Sequence, residues 1–224
     1  MIDKLLPVPI ATAEAFHDAP LTAMYPEERE AVAAAVPQRQ KEFGTVRGCA
    51  RAALAELGVA PGPLLPGPDR APSWPDGIVG AITHCTGYRA AAVARSSDMR
   101  AIGLDAEPNE PINDPGVIGL VTLPGERAQL PRLARLEPEI CWDRLIFSAK
   151  ESVYKAWYPL THRWLGFEEA HLTLDPTDAT FTARLLVPGP VVDGREITEF
   201  SGRWLVEAGL VVTAVVVPGV RNGG

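Results

Sequence analysis

The stretch between Trp142 and Tyr158 commits the chain to a long helix that must be buried along one side. At about 100° per residue, Trp142, Leu145, Ile146, Ala149, Val153, Ala156 and Trp157 fall on one stripe, a core face that another layer has to cover. Pro159 lacks an amide and crowds the preceding turn, so the helix is expected to stop there. The opposite side is unusual for a solvated helix, because Phe147, Tyr154 and Tyr158 stand among Lys150, Glu151 and Lys155. As a surface pair, Glu151 and Lys155 would add only a few tenths of a kcal/mol. Rings placed beside charges instead suggest a face that is covered.

Strand-like runs lie on both sides of this helix and supply the layer it needs. IVGAITH (78–84), RAAAVAR (89–95) and MRAIGLDAE (99–107) precede it; AHLTLD, TFTARLL, FSGRWLVEAG and LVVTAVVV follow. The region from Glu27 to Leu57 reads as helix, broken at Pro37 and closed by Gly58. PGPLLPGPDRAPSWPDG (61–77) is a proline-rich loop long enough to suggest a functional role. Strands and helices occur in both halves without a regular βαβ rhythm or a fixed repeat. The class is α+β.

Several functions are excluded early. The net charge of −7 argues against a general nucleic-acid binder, although a local basic pocket for one small anion remains open. Three cysteines without CxxC spacing give neither a disulfide framework nor a zinc cluster. No run approaches the roughly 20 apolar residues needed to cross a bilayer. The first residues are interrupted by Pro7 and Pro9, unlike a signal peptide. A soluble cytoplasmic protein with no membrane or nucleic-acid partner is expected.

Three further patterns carry chemistry. In IGLDAEP, side chains two apart share a strand face, so Asp105 and Glu107 project together while Leu104 and Ala106 face the other way. Two such carboxylates can be exposed strand-end charges, or they can share a hard divalent cation. GAITHCTGY ends a strand with Thr83 and His84, whose hydroxyl and imidazole can donate to phosphate, or simply satisfy a strand-turn-strand. Arg47 and Arg51 share a helix face, with Arg39 upstream; their repulsion calls for an anion or for a neighbouring acid such as Glu42 or Glu56.

The order GAITHCTGY, IGLDAE, FSAKESVYKAW resembles the signature blocks of the Sfp-type 4′-phosphopantetheinyl transferases, in the branch that includes siderophore and mycolate-pathway enzymes of bacteria. VRGCARAAL and WLGF extend the resemblance over roughly residues 36 to 217. It implies two pseudo-twofold-related α+β halves with the active site in the cleft between them. Residues 1–100 would bind the coenzyme A nucleotide, and residues 101–224 would carry the metal site and the carrier-protein docking surface. The implied reaction moves the phosphopantetheine arm of coenzyme A to a serine of an apo acyl or peptidyl carrier protein, releasing adenosine 3′,5′-bisphosphate. Asp105, Glu107 and Glu151 match the ligands of Mg²⁺, for which Mn²⁺ can substitute. Lys155 matches the lysine at the phosphate under attack, and Glu151 the usual base for the serine, directly or through a water. Thr83, His84, Arg39 and Arg47 match coenzyme A contacts, joined by Asp105, Lys150, Glu151 and Lys155. The resemblance also implies a monomer.

Two positions depart from the family pattern. Ala81 stands where a serine is common, and Pro66 where relatives often place a lysine, so Arg70 is expected to replace that lysine. Arg127, Arg132 and Arg135 are offered as the carrier-docking surface. A Mg²⁺-dependent phosphohydrolase, using the same carboxylates with water as acceptor, and a non-catalytic coenzyme A- or carrier-binding module are the alternatives.

Overall fold

In the computed structural model, residues 1–67 and 71–220 are described. Their strands and helices form two sets that repeat one order. The first set is β1 (Ala11–Ala15), α1 (Pro26–Ala31), α2 (Pro37–Glu56), β2 (Ile78–Cys85) and β3 (Tyr88–Arg95). The second opens with β4 (Met99–Pro108), α3 (Pro115–Val121), α4 (Pro124–Leu136) and α5 (Trp142–Thr161). It continues through β5 (Ala170–Asp175), β6 (Thr180–Leu185), β7 (Val191–Val192), β8 (Arg195–Glu196), β9 (Glu199–Glu207) and β10 (Leu210–Pro218).

The larger sheets are ordered β1-β3-β2 and β4-β10-β9-β6-β5, antiparallel throughout, with β7 and β8 pairing apart. The first sheet corresponds strand for strand to β4-β10-β9. In each, the first strand of the set pairs with the last, and the last with its predecessor in the chain. A 20-residue helix, α2 or α5, lies between the first and second of these strands in sequence. This is the α+β class expected, with its repeated halves.

Packing follows from side-chain alternation. Ile102, Leu104 and Ala106 of β4 join Leu210, Val212 and Ala214 of β10 against Ala81, Tyr88, Ala90, Ala92 and Ala94 of the first sheet. The alternate residues of β3, Ala91 and Val93, pack on Cys49, Ala50, Ala53 and Leu54 of α2. The expected stripe of α5 is buried on the other face of the second sheet. Layers therefore run α2, sheet, sheet, α5. The small residues of β3 let both of its faces be covered closely.

Helix ends are set by identifiable chemistry. Pro37 takes the first position of α2, where its missing amide costs nothing. Gly58, at φ +71°, closes that helix: Val59 N–H reaches Leu54 O at 3.1 Å and Gly58 N–H reaches Ala55 O at 2.9 Å. Pro159 does not end α5 as expected. The helix continues to Thr161, because a proline in the last turn forfeits one bond only, and His162 closes it at φ 52° with its N–H on Tyr158 O at 2.8 Å.

Both halves start their helical layer with a proline and then a glutamate two residues later, Pro26 with Glu28 and Pro124 with Glu126, and both glutamates are fully buried. Each accepts its own cap's N–H, Tyr25 at 3.0 Å and Leu123 at 2.6 Å. Each also accepts a distant amide, Leu64 at 2.9 Å or Leu172 at 2.6 Å. Finally, each pairs with a cation of its long helix, Arg51 at 2.5 Å or Lys150 at 2.8 Å. The acid that answers Arg51 is thus Glu28, not Glu42 or Glu56. Among the described residues, no helix is long and apolar enough to cross a membrane.

Candidate active site where β4 crosses α5

A glycine decides how closely β4 approaches α5. A Cβ on Gly103 would lie 1.8 Å from Ser152 O and 3.0 Å from Ala156 N, so only glycine lets the strand lie on the helix backbone. Ser148 and Thr213 fix the helix to the neighbouring strand through bonds of 2.9 and 3.0 Å, all buried. This approach brings Glu151 and Lys155 over the odd-numbered face of β4, where Asp105 and Glu107 project as the alternation required.

Lys155 Nζ donates to Asp105 Oδ1 at 2.7 Å and to Leu104 O at 3.0 Å. It pairs with Asp105, and no ion pair joins it to Glu151 among the described residues. Thr83, from β2 of the first half, is buried beside them. Its hydroxyl donates to Asp105 Oδ1 at 3.3 Å and accepts Ala106 N–H at 3.1 Å. Glu107 meets Arg144 Nη1 at 3.3 Å, a partner that nothing in the strand pattern reveals.

The donor set suits a hard divalent cation. Asp105 Oδ2 is buried without a hydrogen-bond partner. Burial, then Asp105, pushes the Glu107 carboxyl up to about 7, and the same two causes raise Glu151. Glu107 and Glu151 are thus disfavoured as anions beside Asp105, a demand that a hard cation taking oxygen ligands, Mg²⁺ or Mn²⁺, meets. As the side chains stand, no three carboxylate, imidazole or thiol groups among the described residues are gathered closely enough to hold an ion. Lys155 is seated on Asp105 instead.

A second cluster lies at the adjoining end of β2. Arg39 Nη1 donates to His84 Nε2, with Glu42 at 3.6 Å from the former and 3.8 Å from the latter. Burial, then Arg39, lowers the His84 pKa to about 4, so the imidazole is neutral. Arg89, buried, pairs with Asp18 at 3.0 Å and Glu42 at 3.5 Å beneath this cluster. Sequence reasoning found Arg39 and His84 and named Glu42 as an acid for the arginines, but missed Arg89 and its partner Asp18. Arg47 is not brought to them: its guanidinium lies 3.6 Å from the Phe43 ring centroid and donates to Leu64 O at 3.2 Å. Burial first, then Arg39 and Arg51, lowers its pKa to about 10, with Glu28 opposing. Pro66 bridges Pro72, and Arg70 lies outside the described residues. Ala81 faces the apolar space between the sheets, where a serine hydroxyl would meet mainly carbon.

Lys150, expected among the coenzyme A contacts, points elsewhere. Its buried ammonium meets Glu126 and donates to Phe167 O at 2.7 Å; burial lowers its pKa and Glu126 opposes that. The signal for Glu126 was present, since a glutamate two residues after a helix-opening proline is a capping pattern. Beside Glu151 a cavity of about 170 Å³ opens, lined by Val153, Tyr154, Trp164, Leu165 and Phe167. The Tyr154 and Trp164 ring centroids are 5.0 Å apart, and Phe147 and Phe167 are 5.8 Å apart. Of the proposed docking arginines, Arg132 and Arg135 are exposed, while Arg127 Nη1 is engaged with Thr122 O and Oγ1.

Residues 27–94 match the 4′-phosphopantetheinyl transferase N-terminal domain, and residues 101–203 match the 4′-phosphopantetheinyl transferase superfamily. The chain is 59% identical over 220 residues to the 4′-phosphopantetheinyl transferase Svp of Streptomyces mobaraensis, covering 97% of this chain and 89% of that one. Identity is 48% over 212 residues to the 4′-phosphopantetheinyl transferase PptT of Mycobacterium tuberculosis, with 92% of each covered. It is 44% over 223 residues to the 4′-phosphopantetheinyl transferase Npt of Nocardia iowensis, covering 96% and 99%.

Proposed function

The chain belongs to the 4′-phosphopantetheinyl transferase superfamily, and from that premise we propose that it moves the phosphopantetheine arm of coenzyme A onto a serine of apo acyl or peptidyl carrier proteins. The observation that carries this reading is Asp105 bonded to both Lys155 and Thr83, with Glu107 and Glu151 near enough to feel its charge, next to the Arg39–His84 cluster. Residues 1–100 serve the nucleotide, and residues 101–224 the metal and the carrier. Arg39 and His84 hold nucleotide phosphates, and the cavity beside Glu151 receives the pantetheine chain.

Asp105, Glu107 and Glu151 would hold Mg²⁺, with Mn²⁺ as a substitute, and the ion would neutralise charge on the pyrophosphate. Glu151, directly or through a water, takes the proton from the serine hydroxyl as the oxygen bonds to the phosphorus of the pantetheine arm. Lys155 gives a proton to the bridging oxygen as its bond to that phosphorus breaks, and adenosine 3′,5′-bisphosphate leaves. Arg132 and Arg135 are the exposed part of the carrier-docking surface. We place the protein as a monomer in the cytoplasm, a reducing compartment that suits the free Cys49, Cys85 and Cys141.

Incubation with coenzyme A, Mg²⁺ and an apo carrier protein, read by mass spectrometry, tests the reading. A phosphopantetheine adduct on the carrier is expected. Free phosphopantetheine would replace transferase with hydrolase, and binding without turnover would leave a non-catalytic module.

A further inference from the structure

Lys150 immediately precedes Glu151 on α5, yet its side chain is only 3% exposed and its ammonium pairs with Glu126. Its two partners tie separate elements together. Glu126 stands at the start of α4, where it also receives the Leu123 N–H, and it reaches the edge strand β5 through the Leu172 N–H. Phe167 O belongs to the segment that walls the cavity beside Glu151, so the bond from Lys150 clamps that wall to α5.

The first half has the same hub in Glu28 and Arg51, but its partners differ. Arg51 donates to Ala23 O, away from any carboxylate cluster, and the next residue on its helix is Ala52. Only in the second half does the hub's cation sit one residue from the reacting groups and hold a cavity wall. Buried ion pairs can often be replaced by apolar groups without loss of stability. No apolar side chain, however, can satisfy Phe167 O, so replacement would free the wall even where the fold survives.

We propose that Glu126 and Lys150 are positioning residues for the transfer reaction, fixing the 164–167 segment against α5 and so setting the cavity that receives the pantetheine chain. This rests on the transferase reading above. The ammonium acts through the wall it holds, and the rest of the Lys150 residue lines the same cavity.

Lys150→Met, Glu126→Gln and the double variant separate the possibilities, with KM and kcat for coenzyme A, the Mn²⁺ dissociation constant and the thermal midpoint measured for each. All three variants are expected to raise the KM for coenzyme A, by about tenfold where Lys150 is replaced, with kcat and Mn²⁺ affinity changed far less. The double variant, which buries no lone charge, keeps the comparison valid if a single variant fails to fold. A lowered thermal midpoint with an unchanged KM would overturn the proposal in favour of a purely structural pair. A raised KM in Lys150→Met with none in Glu126→Gln would overturn it in favour of direct contact with coenzyme A. A wild-type protein that binds no coenzyme A and modifies no carrier would remove the transferase reading, and this proposal with it.

Discussion

At the scale of single residues, the site depends on which side chains are kept neutral and which are paired. His84 accepts from Arg39 and is surrounded by Arg89 and Lys155 charge, so a proton on its ring is opposed by burial and then by those cations. Its folded pKa of about 4 lies below the unfolded value, so the unfolded chain takes the proton first. Stability is therefore fully present above the unfolded value, is lost as pH falls from about 6.5 to about 4, and is flat below. His84→Asn should reduce the loss between pH 7.5 and pH 5.5, measured by urea midpoints, by something on the order of 1 kcal/mol, since the ring is partly exposed and screening discounts the full shift. Equal losses in both proteins would show that the ring titrates normally. The faces that Asp105, Glu107, Glu151 and Lys155 occupy were legible from strand and helix periods, whereas their grouping into one site came from the resemblance to the family. The burial of Lys150 was not, because a period gives only an angle, and the partner that buries it stands on another helix. Lys155 was legible as a charge on the right face, but its choice of Asp105 over Glu151 depends on how close two elements lie.

That closeness belongs to the scale of elements, and Gly103 controls it. A methyl group there would overlap the Ser152 carbonyl, which is helix backbone and cannot rotate aside. Gly103→Ala should push α5 off β4 at a cost of about 1–3 kcal/mol or more, typical of overpacking. At roughly 2–4 °C per kcal/mol for a chain of this size, the melting midpoint should fall by several degrees. Transfer activity should fall further, because a displacement of about 1 Å between Asp105 and Lys155 is expected to cost about 100-fold. An unchanged midpoint together with full activity would mean that the crossing is looser than the structure has it. The long elements were readable from periodicity: α5, β4, β10 and the Schellman closure of α2 at Gly58 all leave residue-level signals. β1 was not, since five residues, ATAEA, carry too little alternation to mark a strand. Pro159 misled for a related reason, because its cost depends on how many bonds remain to be made after it, and that depends on where the chain turns next.

For the whole molecule, the cation and the nucleotide are expected to bind interdependently. Arg39, His84 and Thr83 come from the first half, whereas Asp105, Glu107, Glu151 and Lys155 come from the second. A pyrophosphate placed between them meets three carboxylates unless a cation intervenes, so coenzyme A alone should bind weakly. With Mg²⁺ present the repulsion becomes attraction, and each ligand should strengthen the other by the same factor, because binding free energies are reciprocal. Titration of coenzyme A with and without Mn²⁺, and of Mn²⁺ with and without coenzyme A, should return one coupling factor, expected within about 5- to 150-fold. Both ligands at about 100 times their dissociation constants should each add about 2.7 kcal/mol to stability. Chelation should then lower the melting midpoint by roughly 5–10 °C. Asp105→Asn removes the one carboxylate that touches both Thr83 and Lys155, so it should abolish the chelator effect and most of the coupling while leaving weak nucleotide binding by Arg39 and His84. Full coupling retained in that variant would place the cation away from β4, and the convergence of Glu107 and Glu151 on Asp105 would then be a charge cluster held by Lys155 and Arg144 alone.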